Sequence, residues 1–381
     1  MNTIRSTMVS AGLVLFAALG SVALSGCILS SVVGQGDEEE VEKGKGSCGV
    51  GGNGVGSGGV GGNGVGSGGV GGNGVGGGGG NGVGGGGGNG GGNATLIFDV
   101  TGTGLNPWSL TVDAANVYFT DAQGPSGQVL RVPLDGSPAE VLAENQYIPL
   151  AIQVDGADLY FMTSDALRKV PVAGGPVVDV APAENAGYGA IATDATHVYW
   201  TNYTTPGSTM RIAKAGGMAE TIASGSQWPS GLALRNGRVY WTALGDDAIS
   251  HAPLGGGAAA VFASNQLAPR LGIAADDTYL YWLNEGEWPN AIYKAPLVGG
   301  APTLVTPSPF PNASMPSTLV LDADHAYFGA AFCSIVKISL ADGTTETLTF
   351  DESTVGCPMF LALDADNLYY TSQRGITKVA K

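Results

Sequence analysis

The stretch DATHVYWTN, Asp194–Asn202, recurs with small changes throughout the second part of this 381-residue chain. Its relatives are DAANVYFT, DGADLYFM, RNGRVYWT, DDTYLYWL, DADHAYFG and DADNLYYT. The first tyrosine of each copy falls at position 118, 160, 199, 240, 281, 327 or 369, so the period is about 42 residues. Self-similarity at a fixed period of this size indicates stacked repeats of one supersecondary unit.

Each copy continues as further short runs of β-branched and aromatic residues, separated by turns rich in Gly, Pro, Asn and Asp. A third run such as STMRIAKAGG is followed by a fourth such as AETIAS. Four strands in a unit of this length are typical of a β-propeller blade. The seventh copy has no fourth strand after GITKVAK, whereas ATLIFDV, Ala94–Val100, has a fourth-strand pattern and no blade of its own. We therefore predict an all-β, seven-bladed β-propeller over residues 94–381, with four-stranded antiparallel blades, closed by the N-terminal strand pairing with the last blade.

The repeated VYWT string, with YFTD at Tyr118–Asp121 as its nearest approach to the signature, resembles the YWTD propellers of lipoprotein receptors and the wider NHL-like group. The resemblance covers about 285 residues through short motifs only. YWTD rings have six blades, whereas this sequence predicts seven. The resemblance therefore implies the fold, and it does not carry over a receptor function. We interpret Asp194 and its equivalents as caps of the turn between the first two strands, and Tyr199 and Trp200 as residues that pack between blades.

The N-terminal region predicts export. Arg5 precedes an apolar run from about Val9 to Leu24, which is too short for a good membrane span and reads as a secretory signal over residues 1–26. The run ends in Leu24-Ser25-Gly26-Cys27, which resembles the bacterial lipobox. The resemblance implies cleavage before Cys27, lipidation of its thiol, and a lipid-anchored protein of the cell envelope. Ile28 and Leu29 follow without an aspartate, which favours the outer membrane. The alternative is an ordinary secretory signal with an incidental Cys27.

Residues 27–93 predict a tether between this anchor and the repeats. An acidic run, GDEEEVEKGKG, is followed by a segment of almost only Gly, Asn, Val and Ser. Glycine at this density cannot offset its backbone entropy by burying side chains, so we expect a flexible linker. The net charge of −16, or near −17 once Arg5 is removed with the signal, and the absence of a basic stripe argue against a nucleic-acid partner.

No catalytic or metal motif emerges from the repeats. His197, His251 and His325 fall in strands and turns of different blades, and no nucleophile elbow or zinc spacing occurs. We expect no cofactor and no metal. Cys333 and Cys357 are expected to lie on one face of adjacent blades and to form a disulfide, since export permits oxidation. The rival pairing is Cys48 with either of them.

The fourth-to-first and second-to-third strand connections should emerge on one common face, here called the loop face. Six fourth-to-first connections carry a proline before the first strand: Pro107, Pro149, Pro229, Pro269, Pro316 and Pro358. Aromatic and basic residues assigned to this face are Trp108, Tyr147, Tyr188, Tyr203, Trp228, Arg270, Trp288 and Arg374. The acidic residues Asp246, Asp247, Glu285 and Glu287 are expected beside them.

These loop residues favour a binding or interaction module whose partner is an envelope protein, a peptide or a glycan. The alternatives are a propeller enzyme of lyase or hydrolase type with its site in the central channel, and a purely structural role in the envelope. A competing interpretation of the aromatic residues is that they fold inward and plug the mouth of the channel.

Overall fold

A computed structural model describes residues 94–183, 189–285, 291–307, 318–330, 333–349 and 353–381. Within these ranges the chain forms seven four-stranded antiparallel sheets and a single 3-10 turn at Leu244–Asp246. The predicted seven-bladed β-propeller is confirmed. The signal sequence, Cys27, the tether and Cys48 lie outside the described residues. No helix of the described part is long and apolar enough to cross a membrane.

The strands follow the chain in blade order, from the innermost strand of each blade to the outermost. Strand β1 spans Ala94–Asp99. Blade 1 contains β2 Pro107–Val112, β3 Asn116–Asp121, β4 Gly127–Pro133 and β5 Glu140–Gln146; blade 2 contains β6 Ala151–Asp155, β7 Asp158–Met162, β8 Ala166–Pro171 and β9 Val178–Pro182. Blade 3 contains β10 Ile191–Thr193, β11 His197–Asn202, β12 Gly207–Ala213 and β13 Glu220–Ser226; blade 4 contains β14 Pro229–Arg235, β15 Arg238–Ala243, β16 Ala248–Pro253 and β17 Ala260–Ala263.

Blade 5 contains β18 Pro269–Ala275, β19 Tyr279–Asn284, β20 Ala291–Pro296 and β21 Thr303–Pro307; blade 6 contains β22 Leu319–Leu321, β23 His325–Ala330, β24 Ser334–Ser339 and β25 Thr345–Thr349. Blade 7 contains β26 Leu361–Leu363, β27 Asn367–Ser372 and β28 Gly375–Ala380.

Strand β1 completes blade 7 and closes the ring. It pairs antiparallel with β28, from Ala94 opposite Val379 to Asp99 opposite Gly375. The innermost strand of each blade contacts the innermost strands of both neighbouring blades, and β2 contacts β26 in the same way. The predicted closure is confirmed, and it places the two ends of the repeat region in one sheet.

The core is divided into seven apolar clusters, one between each pair of adjacent blades. Successive side chains of a strand point to opposite faces, so two consecutive aromatic residues serve two different clusters. In blade 3, Tyr199 packs against Val239 and Trp241 of blade 4. Its neighbour Trp200 packs against Tyr160 of blade 2. The predicted role of the VYW string as inter-blade packing is confirmed.

The aspartate of the repeat caps the turn between the first two strands in blades 1, 3, 5, 6 and 7. In blade 3 one carboxylate oxygen of Asp194 accepts hydrogen bonds from the backbone N–H groups of Thr196 and His197, at 2.7 and 2.8 Å. The other oxygen accepts the hydroxyl of Tyr199 at 2.7 Å. The same arrangement joins Asp113 to Tyr118, Asp276 to Tyr281, Asp322 to Tyr327 and Asp364 to Tyr369. We call this arrangement the Asp–Tyr clasp.

The clasp fixes the charge of both partners. Burial alone would raise the pKa of Asp194, but the bonds from Thr196, Tyr199 and His197 outweigh it and lower that pKa to about 2. In blade 1, burial and the bond to Asp113 raise the pKa of Tyr118 to about 12. The aspartate therefore remains charged and the tyrosine neutral over the ordinary pH range, which strengthens the hydrogen bond between them.

Blades 2 and 4 depart from the clasp because their first turns are shorter. Their closing residue pairs, Asp155 with Asp158 and Arg235 with Arg238, enclose only two residues. The prediction that Asp155 caps its turn as Asp194 does is wrong, because its carboxylate pairs with Lys214 of blade 3 instead. In blade 4, Arg235 stands in place of the aspartate, and the buried hydroxyl of Tyr240 has no hydrogen-bond partner among the described residues.

The threonine after the aromatic pair adds a polar link between blades, which the sequence did not indicate. In blade 4 the hydroxyl of Thr242 accepts the N–H of Gly231 in its own blade and donates to the carbonyl of Arg270 in blade 5, at 2.8 and 2.6 Å. Thr201 links blades 3 and 4, and Thr371 links blades 7 and 1. A hydroxyl can do both because it is donor and acceptor at once.

The predicted disulfide between Cys333 and Cys357 is confirmed. Cys333 directly precedes β24 of blade 6, and Cys357 lies in the connection into β26 of blade 7. Their Cα atoms are 4.1 Å apart and 24 residues separate them in sequence. For a loop of that size the chain-entropy argument gives a stabilisation of about 3 kcal/mol.

The matched tyrosines of blades 3 and 4 test the Asp–Tyr clasp. Tyr199→Phe should lower the free energy of unfolding by about 1–2 kcal/mol, because it removes a donor from a charged acceptor. Tyr240→Phe should be neutral or stabilising by up to about 1 kcal/mol, because it removes a buried hydroxyl that has no partner. Urea denaturation of both variants measures the difference. Equal losses in the two would contradict the role given to the clasp.

Candidate functional site

The loop face is formed by the connections that enter the first strand and leave the second strand of each blade. Among the described residues it comprises 100–106, 122–126, 147–150, 163–165, 183, 189–190, 203–206, 227–228, 244–247, 264–268, 285, 318, 333, 353–360 and 373–374. The predicted grouping of fourth-to-first and second-to-third connections follows from the strand pairing, since Pro107 at the start of β2 pairs with Asp121 at the end of β3.

Three fourth-to-first connections share one backbone path. They are ENQYIP at 144–149, SGSQWP at 224–229 and SNQLAP at 264–269. Each contains two residues with positive φ: Asn145 and Ile148 in the first, Gly225 and Trp228 in the second, and Asn265 and Ala268 in the third. Positive φ is disfavoured for a β-branched or bulky residue such as Ile148 or Trp228. The following proline restricts the same residue further. These loops therefore hold a strained conformation that their surroundings must maintain.

Glutamine side chains support two of these loops from within. The amide nitrogens of Gln146 and Gln266 donate to the carbonyls of Glu144 and Ser264, at 2.7 and 2.8 Å. The amide oxygen of Gln266 also accepts the indole N–H of Trp282 at 2.8 Å. Because a buried amide must satisfy both ends, each glutamine fixes the turn above it to the next blade. The recurring Asn-Gln before the proline was the sequence signal for this support.

Backbone hydrogen bonds join each of these loops to the blades on both sides. The N–H of Trp228 donates to the carbonyl of Thr204 in blade 3, and its carbonyl accepts the N–H of Leu244 in blade 4, at 2.9 and 3.3 Å. The carbonyl of Ala268 likewise accepts the N–H of Glu285 in blade 5, at 3.3 Å. The carbonyl of Tyr147 accepts the N–H of Ser164 in blade 2, also at 3.3 Å. At each of these three junctions between blades, the loop face is thus a bonded surface.

This bonded surface presents apolar side chains to solvent. Tyr147 is 51% exposed, Leu267 43% and Trp228 38%. The Trp228 ring lies over Gly245, where an added Cβ would come within 2.8 Å of the indole. Tyr147 and Trp228 were expected on this face, whereas Leu267 was missed because it is not aromatic. Tyr203, also expected here, is partly buried next to Thr204.

Trp108 was expected in a loop, and the structure corrects that expectation. It occupies the second position of β2, partly buried in the cluster between blades 7 and 1, with its ring 5.2 Å from that of Phe360. Trp108 also lines the central channel. For this residue the inward-facing interpretation is the one that the structure shows. Tyr188, Trp288, Glu287 and Pro316 lie outside the described residues.

The two arginines assigned to the loop face both contact carboxylates. Arg270 extends from β18, and its Nε lies 3.1 Å from Glu285, which is mostly buried. Burial raises the pKa of Glu285 to about 7, against the opposing charge of Arg270. The second carboxylate oxygen of Glu285 is buried and has no hydrogen-bond partner among the described residues. Arg374 lies between β27 and β28 and is 3.9 Å from Asp99, a separation at which the pair is weak.

The acidic residues of this face hold neighbouring loops in place. Asp246 accepts the N–H of Gln227 at 3.0 Å, and Asp247 accepts the N–H of Ala268 at 3.2 Å. Both residues remain exposed. They therefore fix the loops beside Trp228 and Leu267 and also give this surface negative charge.

The central channel contains a cavity of about 240 Å³. Each blade contributes an aliphatic side chain from its innermost strand: Leu110, Ile152, Ile191, Leu232, Ile273, Val320 and Leu361. The polar lining consists of Ser109, Gln153 and Thr318, and the described lining includes no acidic, basic, histidine or cysteine side chain. The described residues also contain no cluster of three metal-ligating side chains. His197, His251 and His325 lie on different blades, as the repeat predicted.

Comparison with known proteins identifies the fold and no family. No family model matches the chain, and no curated protein matches it either. Among solved structures, virginiamycin B lyase from Staphylococcus aureus matches with a TM-score of 0.62 and 14% identity, over 76% of this chain and 99% of that chain. The computationally designed Ika8 protein matches with a TM-score of 0.53 and 12% identity, over 72% and 84% of the two chains. A chain of a nidogen/laminin complex has a TM-score of 0.45 and 19% identity, over 68% and 86%. These likenesses extend to the propeller fold alone.

Glu285 makes the stability of the loop face depend on pH. A carboxyl group whose pKa is raised on folding contributes stability below its unfolded pKa, and this contribution is lost as pH rises through the folded value. Between about pH 5 and pH 8 the wild-type chain should therefore lose stability relative to Glu285→Gln, by about 2–3 kcal/mol for a pKa raised from 4.5 to about 7. Denaturation of both chains across this range checks the difference, and parallel pH profiles would contradict it.

Proposed function

We propose that this chain is a lipid-anchored β-propeller lipoprotein of the cell envelope that holds a partner on its loop face. The partner classes that fit are an envelope protein, a peptide or a glycan. The observation that carries the proposal is the exposure of Tyr147, Trp228 and Leu267 on three loops whose backbones are bonded to the blades on either side.

Stability alone gives little reason for these side chains. An apolar side chain left half exposed contributes less burial free energy than the same side chain in a core. Two of the loops also place a bulky residue, Ile148 or Trp228, at positive φ before a proline. Such conformations cost about 1–3 kcal/mol each and concentrate at functional sites. Aromatic side chains carry much of the contact energy of protein interfaces, and flat rings also stack on sugars.

The bonded loops favour binding by a preformed surface. Because backbone hydrogen bonds and the Gln146 and Gln266 amides already hold the turns, a partner would not have to order them. Little binding free energy would then be lost to ordering of the loops. Exposed Asp246 and Asp247 beside Trp228 favour a partner with some positive charge, whose association should slow as salt rises.

An enzymatic role in the channel, the alternative expected from other seven-bladed propellers, has less support. General acid–base or nucleophilic catalysis requires a titratable or nucleophilic side chain within reach of the substrate. The described lining of the channel offers the hydroxyls of Ser109 and Thr318 and the amide of Gln153, but it has no acidic, basic or histidine side chain that could activate a hydroxyl. We therefore place the function on the loop face.

The cellular location is part of the proposal. Export, lipidation at Cys27 and outer-membrane anchoring are supported by Leu24-Ser25-Gly26-Cys27 and by Ile28 and Leu29 after it. Di- and N-acylation would meet the two-signal requirement for stable attachment. The Gly-rich residues 50–93 would hold the ring off the bilayer, with a reach of about 35–40 Å for a coil of roughly 45 residues.

Replacement of Cys27 tests the anchor. Cys27→Ser should move the chain from the membrane fraction to the soluble envelope fraction, because the acylated thiol is lost. Fractionation and mass spectrometry of the N-terminus measure both consequences. A Cys27→Ser chain that stays in the membrane fraction would show that Cys27 is incidental.

Replacement of the three exposed apolar side chains tests the loop face. The triple variant Tyr147→Ala, Trp228→Ala, Leu267→Ala should retain at least about tenfold less partner from an envelope extract than the wild-type chain, since interface residues of this kind contribute more than about 1 kcal/mol each. The matched control is Val261→Ala, Met218→Ala, Val298→Ala, which removes apolar side chains exposed by 61%, 89% and 97% elsewhere.

Thermal midpoints of both triple variants separate binding from folding. Loss of partner by the loop-face variant at a midpoint close to that of the control supports the proposal. Unchanged capture together with a lowered midpoint would show that Tyr147, Trp228 and Leu267 have a structural role, and the proposal would be wrong.

A further inference from the structure

A basic side chain or histidine stands opposite the repeat tyrosine in all seven blades. The third strand places it in direct register with the tyrosine of the second strand. The pairs are Tyr118 with Arg131, Tyr160 with Lys169, Tyr199 with Arg211, Tyr240 with His251, Tyr281 with Lys294, Tyr327 with Lys337 and Tyr369 with Lys378. The blades therefore offer internal comparisons at one structural position.

In blade 1 this side chain is an arginine that crosses to the next blade. Nη1 of Arg131 donates to the carbonyl of Val172 in blade 2 at 2.6 Å. Its Nη2 donates to Glu140 at 2.6 Å, the residue in register on the outermost strand. The guanidinium thus fills the cleft between blades 1 and 2.

Blade 3 repeats this arrangement closely. Arg211 donates to the carbonyl of Leu254 in blade 4, and more weakly to that of Gly255 at 3.4 Å. It also forms two bonds to Glu220, the residue in register on the outermost strand, at 2.6 and 2.8 Å. Two clefts of this ring are therefore built around a guanidinium that bonds to carbonyls of the following blade.

Blade 2 lies between them and lacks this guanidinium. Its third strand carries Lys169, whose ammonium donates to Asp158 of its own blade at 2.9 Å. The residue in register on the outermost strand is Val178 in place of a glutamate. An ammonium is a single compact charge and cannot form the forked bonds of a guanidinium.

The cleft between blades 2 and 3 is consequently open. It is a cavity of about 240 Å³. Its walls are Val178 and Val180 from blade 2, with Val198 and Ile212 from blade 3, and Tyr160, Lys169 and Lys214 also line it. Val178 is 47% exposed at its edge, so the cavity is accessible from solvent.

We propose that this cleft binds a guanidinium group, presented by an arginine side chain of a partner. The carbonyls of Lys214 and Ala215 occupy the chain positions of the carbonyls that Arg211 bonds in blade 4, directly after the third strand. Tyr160 also lines the cleft, and its phenol oxygen is a further potential acceptor. The valine walls match the methylene groups of an arginine side chain, as apolar surface covers the stems of long basic residues generally.

The charges of the cleft permit such a ligand. Lys169 is paired with Asp158, and Lys214 is paired with Asp155. Asp179, which also lines the cleft, is paired with Arg168. Each lysine is thus balanced by its own aspartate, and an anion would have to compete with both. A guanidinium enters a locally neutral cleft in a chain whose formal net charge is −16. This site is on the rim between two blades and is independent of the loop face.

Binding of small probes to the full chain, measured by calorimetry or ligand-observed NMR, tests the proposal. The probe is Nα-acetyl-arginine methylamide, and its neutral isostere, the citrulline derivative, is the reference. The arginine probe should bind at least about tenfold more tightly, because its charged N–H groups form stronger hydrogen bonds to carbonyl oxygens than the neutral urea group of citrulline does. Free L-arginine distinguishes the sources: equal binding indicates a free guanidine ligand, and weaker binding indicates a side chain within a peptide.

A filled-cleft variant provides the sharpest comparison. Lys169→Arg with Val178→Glu recreates the pair that blades 1 and 3 hold at this register, so it should bind the arginine probe at least about tenfold more weakly. Val261→Glu is the matched control, since it adds the same charge to an exposed valine of β17 and should bind as the wild type does. If the double variant does not fold, Tyr160→Phe provides the test instead. It adds no volume to the cleft, and it should weaken binding of the arginine probe several-fold.

Three results would overturn the proposal. They are equal affinity for the arginine and citrulline probes, unchanged affinity in the folded filled-cleft variant, and displacement of the arginine probe by inorganic phosphate or acetate at equal concentration.

Discussion

The ring depends on the pair of consecutive aromatic residues in the second strand of every blade. Side chains alternate across a strand, so Tyr199 contacts blade 4 while Trp200 contacts blade 2. A blade with only one of these residues would leave one neighbour without its main apolar contact. Since no blade buries its own faces, the seven inter-blade clusters form most of the core of the described residues. Closure by β1 matters for the same reason, because it gives blade 7 the outer strand that the other blades obtain from their own repeat.

Once this packing is fixed, polar positions around it can vary, and the variation is local. Blades 2 and 4 shorten the first turn to two residues and lose the Asp–Tyr clasp, yet Tyr160 and Tyr240 keep their places in the core. Blade 2 also has lysine and valine where its neighbours have arginine and glutamate. The repeat thus acts as a scaffold whose exceptions mark individual blades. The open cleft beside Lys169 follows from the lysine and valine that blade 2 carries at one register, where blades 1 and 3 carry arginine and glutamate.

The sequence predicted what lies within one repeat or follows from counting repeats. Strand order, seven blades, closure by Ala94–Val100 and the Cys333–Cys357 disulfide were all predictable, because period and topology determine them. Contacts between repeats were not. The link from Thr242 to Arg270 and the cleft beside Lys169 each join residues of two successive copies, and no single copy shows them. Trp108 was assigned to a loop because Pro107 was taken as part of the connection, whereas Pro107 is the first residue of β2.

The loop face shows why strained positions persist in this ring. Trp228 bonds through its N–H to Thr204 of blade 3 and through its carbonyl to Leu244 of blade 4. Each bond contributes about 1 kcal/mol, comparable to the cost of positive φ at a bulky residue, so neither blade alone would hold the turn. The ring holds it because both blades are already fixed by the clusters below. Exposed side chains on such turns lie over the junctions between blades, so a ligand bound to Trp228, as proposed, would contact two blades at once and stabilise the junction that positions it.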